Sequence, residues 1–262
     1  MTYSTLLFDV KDGIARITLN RPEALNSINR ELSRDLMHAI LECDEDPNIR
    51  AVVLSGNGRL FCAGGDLKTF TTLGERLPYY IKEVTTYFHG ALSRLTRMNP
   101  PVVAAVHGFA AGAGMSLAIA CDLVIAAETA RFSVAYTRVG LTPDGSMSYF
   151  LPRLIGLKRA LELTLTNRVL SAQEALGWGL ITRVVPEEEL FSQAMACATQ
   201  LAKGAPKALG AAKRLLHSGW SETLETQLEN EAQTIANMTR TSDTREGIKA
   251  FIEKRAPKFT GK

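Results

Sequence analysis

The sequence has few cysteines, and none of them forms a recognisable pair. The 262 residues include four cysteines, and Cys43, Cys62, Cys121 and Cys197 lie far apart, with no CxxC spacing and no histidine at ligand spacing. This spacing disfavours a disulfide framework and a zinc site, and no metal site is expected. Scattered thiols are typical of a reducing compartment, so we expect a cytoplasmic location.

A large excess of charge and a long apolar run are also missing. The chain has 30 Lys and Arg against 27 Asp and Glu, a formal net charge of +3, which gives no reason to expect nucleic acid or a membrane surface as partner. The uncharged stretch 102–121 is interrupted by glycines and a histidine, whereas a membrane helix needs about 20 continuously apolar residues. The first residues lack the basic and then apolar order of a secretory signal.

What is present is an alternation of strand-like and helix-like patterns. Short apolar runs on both sides of Asp12-Gly13 indicate a β-hairpin. Apolar residues at every fourth position from Ile28 to Ile40 predict an amphipathic helix that ends before Pro47. The alternation favours an α/β fold with parallel crossovers. The further predicted elements are strands at 51–54, 102–106 and 123–126 and helices at 77–98 and 115–121.

The second half of the chain has a different pattern. From Ser146 onward it is mostly helical, with one late strand predicted at 181–185. No low-complexity linker separates the halves. We therefore predict a core domain over 1–200 that continues into a C-terminal helical region over 201–262.

Two helix starts are predicted in this second half from capping residues. Ser171 with Glu174, and Asp243 with Glu246, have the spacing of a capping box. In such a box the first side chain and the acidic side chain satisfy backbone N–H groups that the helix leaves free.

The common signatures of nucleotide binding and serine nucleophiles are missing, and two glycine-rich turns remain. The sequence contains no GxxxxGK[ST], no GxGxxG and no GxSxG. The turns Phe61–Leu67 and His107–Gly114 each connect a predicted strand to a helix. If both turns faced one point, their free N–H groups would form an oxyanion hole. Tight packing of helix on strand explains the same glycines, so both interpretations stay open here.

Successive signature blocks of one family occur in order along nearly the whole chain. They are Ile17–Asn26, Phe61–Leu67, His107–Asp122, Gly140–Asp144, Leu151–Gly156, Ala175–Leu180 and Arg245–Arg255. These blocks resemble the crotonase (enoyl-CoA hydratase/isomerase) superfamily. The resemblance implies an α/β fold of the crotonase (ClpP-like) type, a spiral of ββα turns with a C-terminal helical trimerisation region. It also implies an acyl-CoA thioester substrate and a homotrimer or dimer of trimers.

The same resemblance implies the residues that bind the thioester. The two N–H donors of the oxyanion hole fall at Gly65 and Ala113. No prosthetic group is implied, because coenzyme A arrives as part of the substrate. The positions that match the path of CoA and its pantetheine arm are Ala24, Ala63, Asp66, Leu67 and Lys68.

The small positive charge of the chain is concentrated at its C-terminal end. Residues 249–262 carry a net charge of +4, which leaves −1 for the rest. A solvated tail would account for this. In the resembled family, however, the segment packs by the adenine and phosphates of CoA, often in a neighbouring subunit, which implies Lys254 and Phe259 as further CoA contacts.

The reaction depends on the acidic residues that reach the site. The hydratases of the family use two glutamates, whose positions hold Ser116 and Tyr136 here, so hydration by two glutamates is disfavoured. Asp144 is the carboxylate of the active-site segment, although it could simply cap the helix that follows. At its position, an aspartate acts as acid/base in a ring-epoxide isomerase of phenylacetyl-CoA and as nucleophile in 4-chlorobenzoyl-CoA dehalogenase. His89 matches the general-base histidine of that dehalogenase, and Tyr136 stands where it has a tryptophan.

We therefore expect an acyl-CoA isomerase. Gly65 and Ala113 would hold the thioester oxyanion, Asp144 would act as acid/base, and Tyr136 would shape an apolar acyl pocket. One alternative is a hydrolytic, dehalogenase-like enzyme with Asp144 as nucleophile and His89 as base. Others are an enoyl-CoA hydratase and a relative that only binds, which the balanced charge and the two intact turns disfavour.

Overall fold

The computed structural model describes residues 3–262, and its larger β-sheet has six strands. In sheet order they are β1 (Leu6–Lys11), β2 (Ile14–Leu19), β3 (Ala51–Gly56), β4 (Val102–Val106), β6 (Leu123–Ala127) and β9 (Arg183–Val185). The first two strands form the antiparallel hairpin predicted around Asp12-Gly13, and every other neighbouring pair is parallel. The parallel crossovers inferred from the alternating pattern are therefore confirmed.

A second, three-stranded sheet was not predicted. It consists of β5 (Phe109–Ala111), β7 (Arg131–Ser133) and β8 (Leu170–Ser171). Its strands have only two or three residues, which is too short for an alternating apolar pattern to appear in the sequence. A bridge between Cys62 and Ala110 brings the two glycine-rich turns together.

The helices cover the sheets and extend beyond them. They are α1 (Arg30–Glu45), α2 (Leu67–Phe70), α3 (Leu77–Leu95), α4 (Ala113–Ala120), α5 (Met147–Ile155), α6 (Leu157–Thr166), α7 (Ala172–Gly177), α8 (Leu190–Ala202), α9 (Pro206–Ser218), α10 (Leu224–Met238) and α11 (Ser242–Ile252). The amphipathic helix predicted from Ile28 onward is α1: Leu32, Leu36 and Ile40 are buried on one face, and α1 packs against α3.

A buried lysine fastens the C-terminal helices to the sheet. Lys213 Nζ on α9 lies 2.9 Å from the Asp122 carboxylate and donates to the carbonyls of Leu95 and Pro100. Because every donor of this ammonium has an acceptor, the buried charge is compensated. The division predicted at residue 200 falls inside α8, and it stays a prediction.

Of the two predicted capping boxes, one is confirmed and one is wrong. Ser171 and Glu174 form the complete box at the start of α7. At α11 the capping side chain belongs to Thr241 instead. The Asp243 carboxylate accepts hydrogen bonds from the backbone N–H groups of Thr260 and Gly261, so it holds the C-terminal tail. Within residues 3–262, no helix is long and apolar enough to cross a membrane.

Candidate active site

The two glycine-rich turns meet at the carboxyl ends of β3 and β4. A Cβ atom on Gly64, which has φ +100°, would lie 2.8 Å from the Ala111 carbonyl oxygen. Gly112 also has a positive φ, +50°. Only glycine takes such conformations at little cost, so these residues allow the two turns to touch.

Two backbone N–H groups at this junction have no hydrogen-bond acceptor within residues 3–262. Ala113 is the first residue of α4, where a helix leaves its N–H groups free and carries a partial positive charge. Gly65 accepts a hydrogen bond from Leu67 through its carbonyl. Among the described residues, neither the Gly65 nor the Ala113 N–H donates to a protein acceptor. Two free donors side by side can bind an oxyanion.

Both of these residues line a cavity of about 360 Å³, which we call the acyl cavity. Its wall is largely apolar, and Asp144 is the one carboxylate among the lining residues. The apolar and aromatic part of the wall includes Ile28, Phe70, Val84, Phe88, Tyr136 and Leu141. An apolar cavity with a few convergent polar groups is the usual form of a small-molecule site.

Asp144 is held by two hydroxyl-bearing side chains. The Tyr136 hydroxyl donates to Asp144 Oδ1 at 2.5 Å. Ser116 Oγ lies 3.0 Å from that hydroxyl and donates to the Asp144 backbone carbonyl at 2.9 Å. Burial, together with the neighbouring Asp144 carboxylate, raises the pKa of Tyr136 well above its ordinary value. Tyr136 therefore remains a hydrogen-bond donor throughout the working pH range.

The capping role considered for Asp144 is wrong. The helix α5 begins at Met147, and the residue at its N-cap position is Ser146, whose side chain makes no capping bond. The Asp144 carboxylate accepts from Tyr136 and from no group of α5. Its other oxygen, Oδ2, faces His89 instead.

His89 reaches this carboxylate from α3. Its Nε2 lies 3.5 Å from Asp144 Oδ2 and accepts a hydrogen bond from the Gly145 N–H at 3.2 Å. The His89 side chain is 52% exposed, against 32% for Asp144. The structure thus brings together Asp144, Tyr136, His89 and the two free N–H groups.

Of the five residues predicted along the CoA path, two line the acyl cavity. Ala63 and Leu67 line the cavity, Lys68 is exposed on α2, and Ala24 is half-buried. The Asp66 carboxylate points inward, where it caps α2 through the Thr69 N–H.

The C-terminal residues predicted to contact CoA do not join the acyl cavity of their own chain. The Phe259 carbonyl accepts from Arg50 at 2.8 Å, and Arg50 immediately precedes β3. The acyl cavity lies beyond the opposite end of that strand. Lys254 is exposed just after α11.

An ion pair that the sequence analysis missed supports the first turn. Arg21 Nη2 lies 3.0 Å from Asp66 Oδ2, with side-chain exposures of 16% and 8%, and Arg21 also donates to the Ser27 carbonyl. Asp66 directly follows Gly65, so the pair fixes the backbone that carries one free N–H. The only sequence signal was the position of Arg21 inside the Ile17–Asn26 block.

Removing the charge of Asp66 is expected to lower stability in a pH-dependent way. Burial acts to raise the pKa of Asp66, but the Thr69 N–H and Arg21 outweigh it, and the pKa is lowered. A carboxylate of lowered pKa stabilises the fold above its unfolded pKa, and this is lost as the pH falls through the folded pKa. Asp66→Asn should lower the free energy of unfolding by about 3 kcal/mol at neutral pH.

Urea unfolding at several pH values measures this effect. The difference between Asp66→Asn and wild type should shrink below about pH 4. Asp9→Asn, which breaks an exposed pair with Arg16, is the control and should cost about 1 kcal/mol or less. A difference that stays constant from neutral to acidic pH would contradict the role of the Asp66 charge.

Comparison with known proteins places the chain in one family. The sequence profile described as enoyl-CoA hydratase/isomerase matches residues 9–262. A probable enoyl-CoA hydratase of Rhodobacter capsulatus is 39% identical over 100% of both chains. The 1,2-epoxyphenylacetyl-CoA isomerase of Escherichia coli is 40% identical over 98% of each. The 4-chlorobenzoyl coenzyme A dehalogenase-2 of an Arthrobacter species is 35% identical over 86% of this chain and 82% of its own.

The solved structures agree with the sequence relatives. An enoyl-CoA hydratase from a Polaromonas species superposes with a TM-score of 0.93 at 35% identity, covering 97% of this chain and 99% of that chain. The predicted crotonase-type α/β fold with a helical C-terminal region is therefore confirmed. On the profile match and these relatives, the chain belongs to the enoyl-CoA hydratase/isomerase family.

Proposed function

We propose that this protein is an acyl-CoA isomerase that moves a proton with Asp144. The observation that carries the proposal is the placement of one carboxylate and two free N–H groups on the same apolar cavity. The positions of the two hydratase glutamates hold the hydroxyls of Ser116 and Tyr136, which bind Asp144. One carboxylate is enough for an isomerase, because it can take a proton from one carbon and return it to another.

The reaction would begin with binding of the thioester to the two free N–H groups. The Gly65 and Ala113 N–H groups would bind the thioester oxygen, which stabilises the negative charge that develops there. Asp144 would remove a proton from the acyl chain, and the electrons of the broken C–H bond would move into the enolate. Transfer of a proton from Asp144 to a different carbon would shift the double bond and regenerate the carboxylate.

The hydrogen bond from Tyr136 would determine which oxygen of the Asp144 carboxylate serves as the base. The Tyr136 hydroxyl occupies Oδ1, which leaves Oδ2 as the basic atom. Tyr136→Phe should lower kcat by about tenfold or more with little change in KM, because a hydrogen bond to a charged group is worth about 1.5–3 kcal/mol. Steady-state kinetics measures the changes in kcat and in KM separately. Thr137→Ser, next to the site, is the control, and a Tyr136→Phe enzyme with the kcat of wild type would contradict the positioning role.

The lining of the cavity indicates the substrate class. Phe70, Phe88 and Tyr136 present aromatic surface, which suits an unsaturated or ring-modified acyl group. Coenzyme A would enter as part of this substrate along Ala63, Leu67 and Lys68, so no prosthetic group is proposed.

A panel of four thioesters tests the function. Purified protein and the Asp144→Asn variant would each be mixed with crotonyl-CoA, a 3-enoyl-CoA, ring-epoxidised phenylacetyl-CoA and 4-chlorobenzoyl-CoA. The proposal expects isomerisation of the second or third compound and its loss in the variant. Hydration of crotonyl-CoA as the fastest reaction would instead favour the activity named in the hydratase relatives.

A second candidate is hydrolytic, dehalogenase-like chemistry, and the contact between His89 and Asp144 favours it. In that reaction Asp144 would attack the aromatic ring and displace halide, and water activated by His89 would cleave the resulting ester. A single turnover in heavy-oxygen water would then leave the label in the Asp144 carboxylate. An unlabelled Asp144 after turnover would exclude this candidate.

We also propose that the chain assembles as a homotrimer or a dimer of trimers. No residue of α10 is buried in the single chain, yet Leu224, Leu228 and Ile235 form an apolar stripe that is 55–70% exposed. Such a stripe on a helix indicates a partner surface. The cytoplasmic location stays a prediction.

Charges placed on this stripe should break the assembly. Leu228→Glu combined with Ile235→Glu is expected to shift the protein from trimer or hexamer to monomer in light scattering, because two unpaired carboxylates would be buried at the interface. Glu229→Gln on the same helix serves as the control. A double variant that keeps the mass of the wild-type assembly would exclude α10 from the interface.

A further inference from the structure

A second cavity lies directly behind the acyl cavity. It has a volume of about 720 Å³ between α3, α5 and the end of α9, and we call it the rear cleft. It shares no lining residue with the acyl cavity. Its polar wall includes His89, Ser93, Thr96, Ser146, Arg214 and Ser218.

The contact between His89 and Asp144 is the partition between the two cavities. Asp144 lines the acyl cavity and not the rear cleft, whereas His89 lines the rear cleft and not the acyl cavity. Only 3.5 Å separates Nε2 from Oδ2 across this partition. The two side chains therefore face each other across the partition, and a small approach would bring Nε2 and Oδ2 to hydrogen-bond distance.

An acyl group in the acyl cavity would cover Asp144 and separate it from water on that side. His89 would remain open to the rear cleft, because half of its side chain is exposed and its surroundings there carry hydroxyls. The imidazole would then be the remaining connection between Asp144 and solvent.

The hydrogen bonds of Asp144 and His89 define the steps that such a transfer would take. Tyr136 occupies Oδ1, so a proton taken from substrate would reside on Oδ2, the oxygen nearest to His89. His89 Nε2 accepts from the Gly145 N–H, which places the ring proton on Nδ1. That bond engages the single lone pair of Nε2, so Nε2 would release the Gly145 N–H when it takes the Oδ2 proton. Transfer of the Oδ2 proton to Nε2 would restore the carboxylate and give an imidazolium. Because the His89 side chain is half exposed, the ring would turn into the rear cleft, lose the Nε2 proton to water there and take up a solvent proton before it protonates Oδ2 again.

We propose that His89 exchanges the proton of Asp144 with water in the rear cleft while the acyl-CoA is bound. This proposal rests on the proposed function, because it needs Asp144 to receive a proton from substrate. His89 acts through Asp144 and is not assigned a contact with substrate. The consequence is that the hydrogen returned to the product comes from solvent and not from the substrate.

Turnover of the isomerised thioester in D2O tests the proposal, with mass spectrometry of the product. The wild-type product should carry deuterium at the reprotonated carbon. His89→Gln, whose side-chain carbonyl can still accept the Gly145 N–H, should lower the deuterium content about tenfold, with a smaller change in kcat. Ser93→Trp, which fills the cleft one turn along α3 from His89, should lower it as well.

The outcomes separate this proposal from the proposed function. If Asp144→Asn abolishes turnover but His89→Gln gives as much deuterium as wild type, the relay is wrong and the acid/base role of Asp144 stands. A wild-type product without deuterium overturns the relay in the same way. If Asp144→Asn turns over like wild type, the proposed function itself fails.

Discussion

Asp144→Asn is expected to lower kcat by about 10²–10⁴-fold, which is the usual contribution of a general acid/base. The amide keeps the shape of the carboxylate, and its oxygen can still accept from the Tyr136 hydroxyl. It cannot take a proton from carbon. Binding of the thioester should change little, because the N–H groups of Gly65 and Ala113 remain in place.

The measurement is the steady-state rate with the best thioester of the panel, beside the affinity for a non-reactive acyl-CoA. Asp9→Asn on β1, in an exposed pair far from the cavity, is the matched control and should retain wild-type kinetics. An Asp144→Asn enzyme with wild-type kcat would contradict every mechanism that uses this carboxylate.

Ala113→Pro is expected to lower kcat by about 10²–10³-fold, since one oxyanion donor is worth about 3–4 kcal/mol. Proline replaces the backbone N–H by a ring CH2 group that points in the same direction, so the thioester oxygen loses this donor and also part of its space. The fold should accept it, because Ala113 is the first residue of α4, the helix position where proline is best tolerated. The residue before it, Gly112, has φ +50° and ψ −125°. This is the mirror image of the extended conformation that residues before proline adopt. Glycine has no Cβ and adopts both forms, so Gly112 can precede a proline.

Ala113→Gly is the control for this substitution. It removes the methyl group but keeps the N–H, so its kcat should stay close to that of wild type. Circular dichroism and thermal melting of both variants would verify that α4 is intact. A folded Ala113→Pro enzyme with undiminished kcat would exclude this N–H from the reaction.

Much of the fold was predictable because many of its strands and helices are long enough for apolar residues to form a recognisable pattern. The hairpin around Asp12-Gly13 and the helix from Ile28 are examples. The sheet of β5, β7 and β8 was missed because each strand has only two or three residues. The capping box at Asp243 failed for a different reason: spacing alone cannot reveal that a carboxylate binds the distant backbone of Thr260 and Gly261.

The candidate site was predictable only in part. The glycines of the two turns indicated a close approach of backbones, and the turns do meet. The roles of Asp144 and His89 came from resemblance, and the residues themselves left open whether Asp144 caps a helix. The ion pair of Arg21 with Asp66 joins residues 45 positions apart, which no local pattern records.

The most direct test of the account is a turnover of the reactive thioester in heavy-oxygen water, followed by mass spectrometry of the product and of the Asp144 peptide. If Asp144 only moves a proton, neither the acyl product nor Asp144 contains heavy oxygen, and the product has the elemental composition of the substrate. Heavy oxygen in the product, or in the carboxylate of Asp144, would contradict the account.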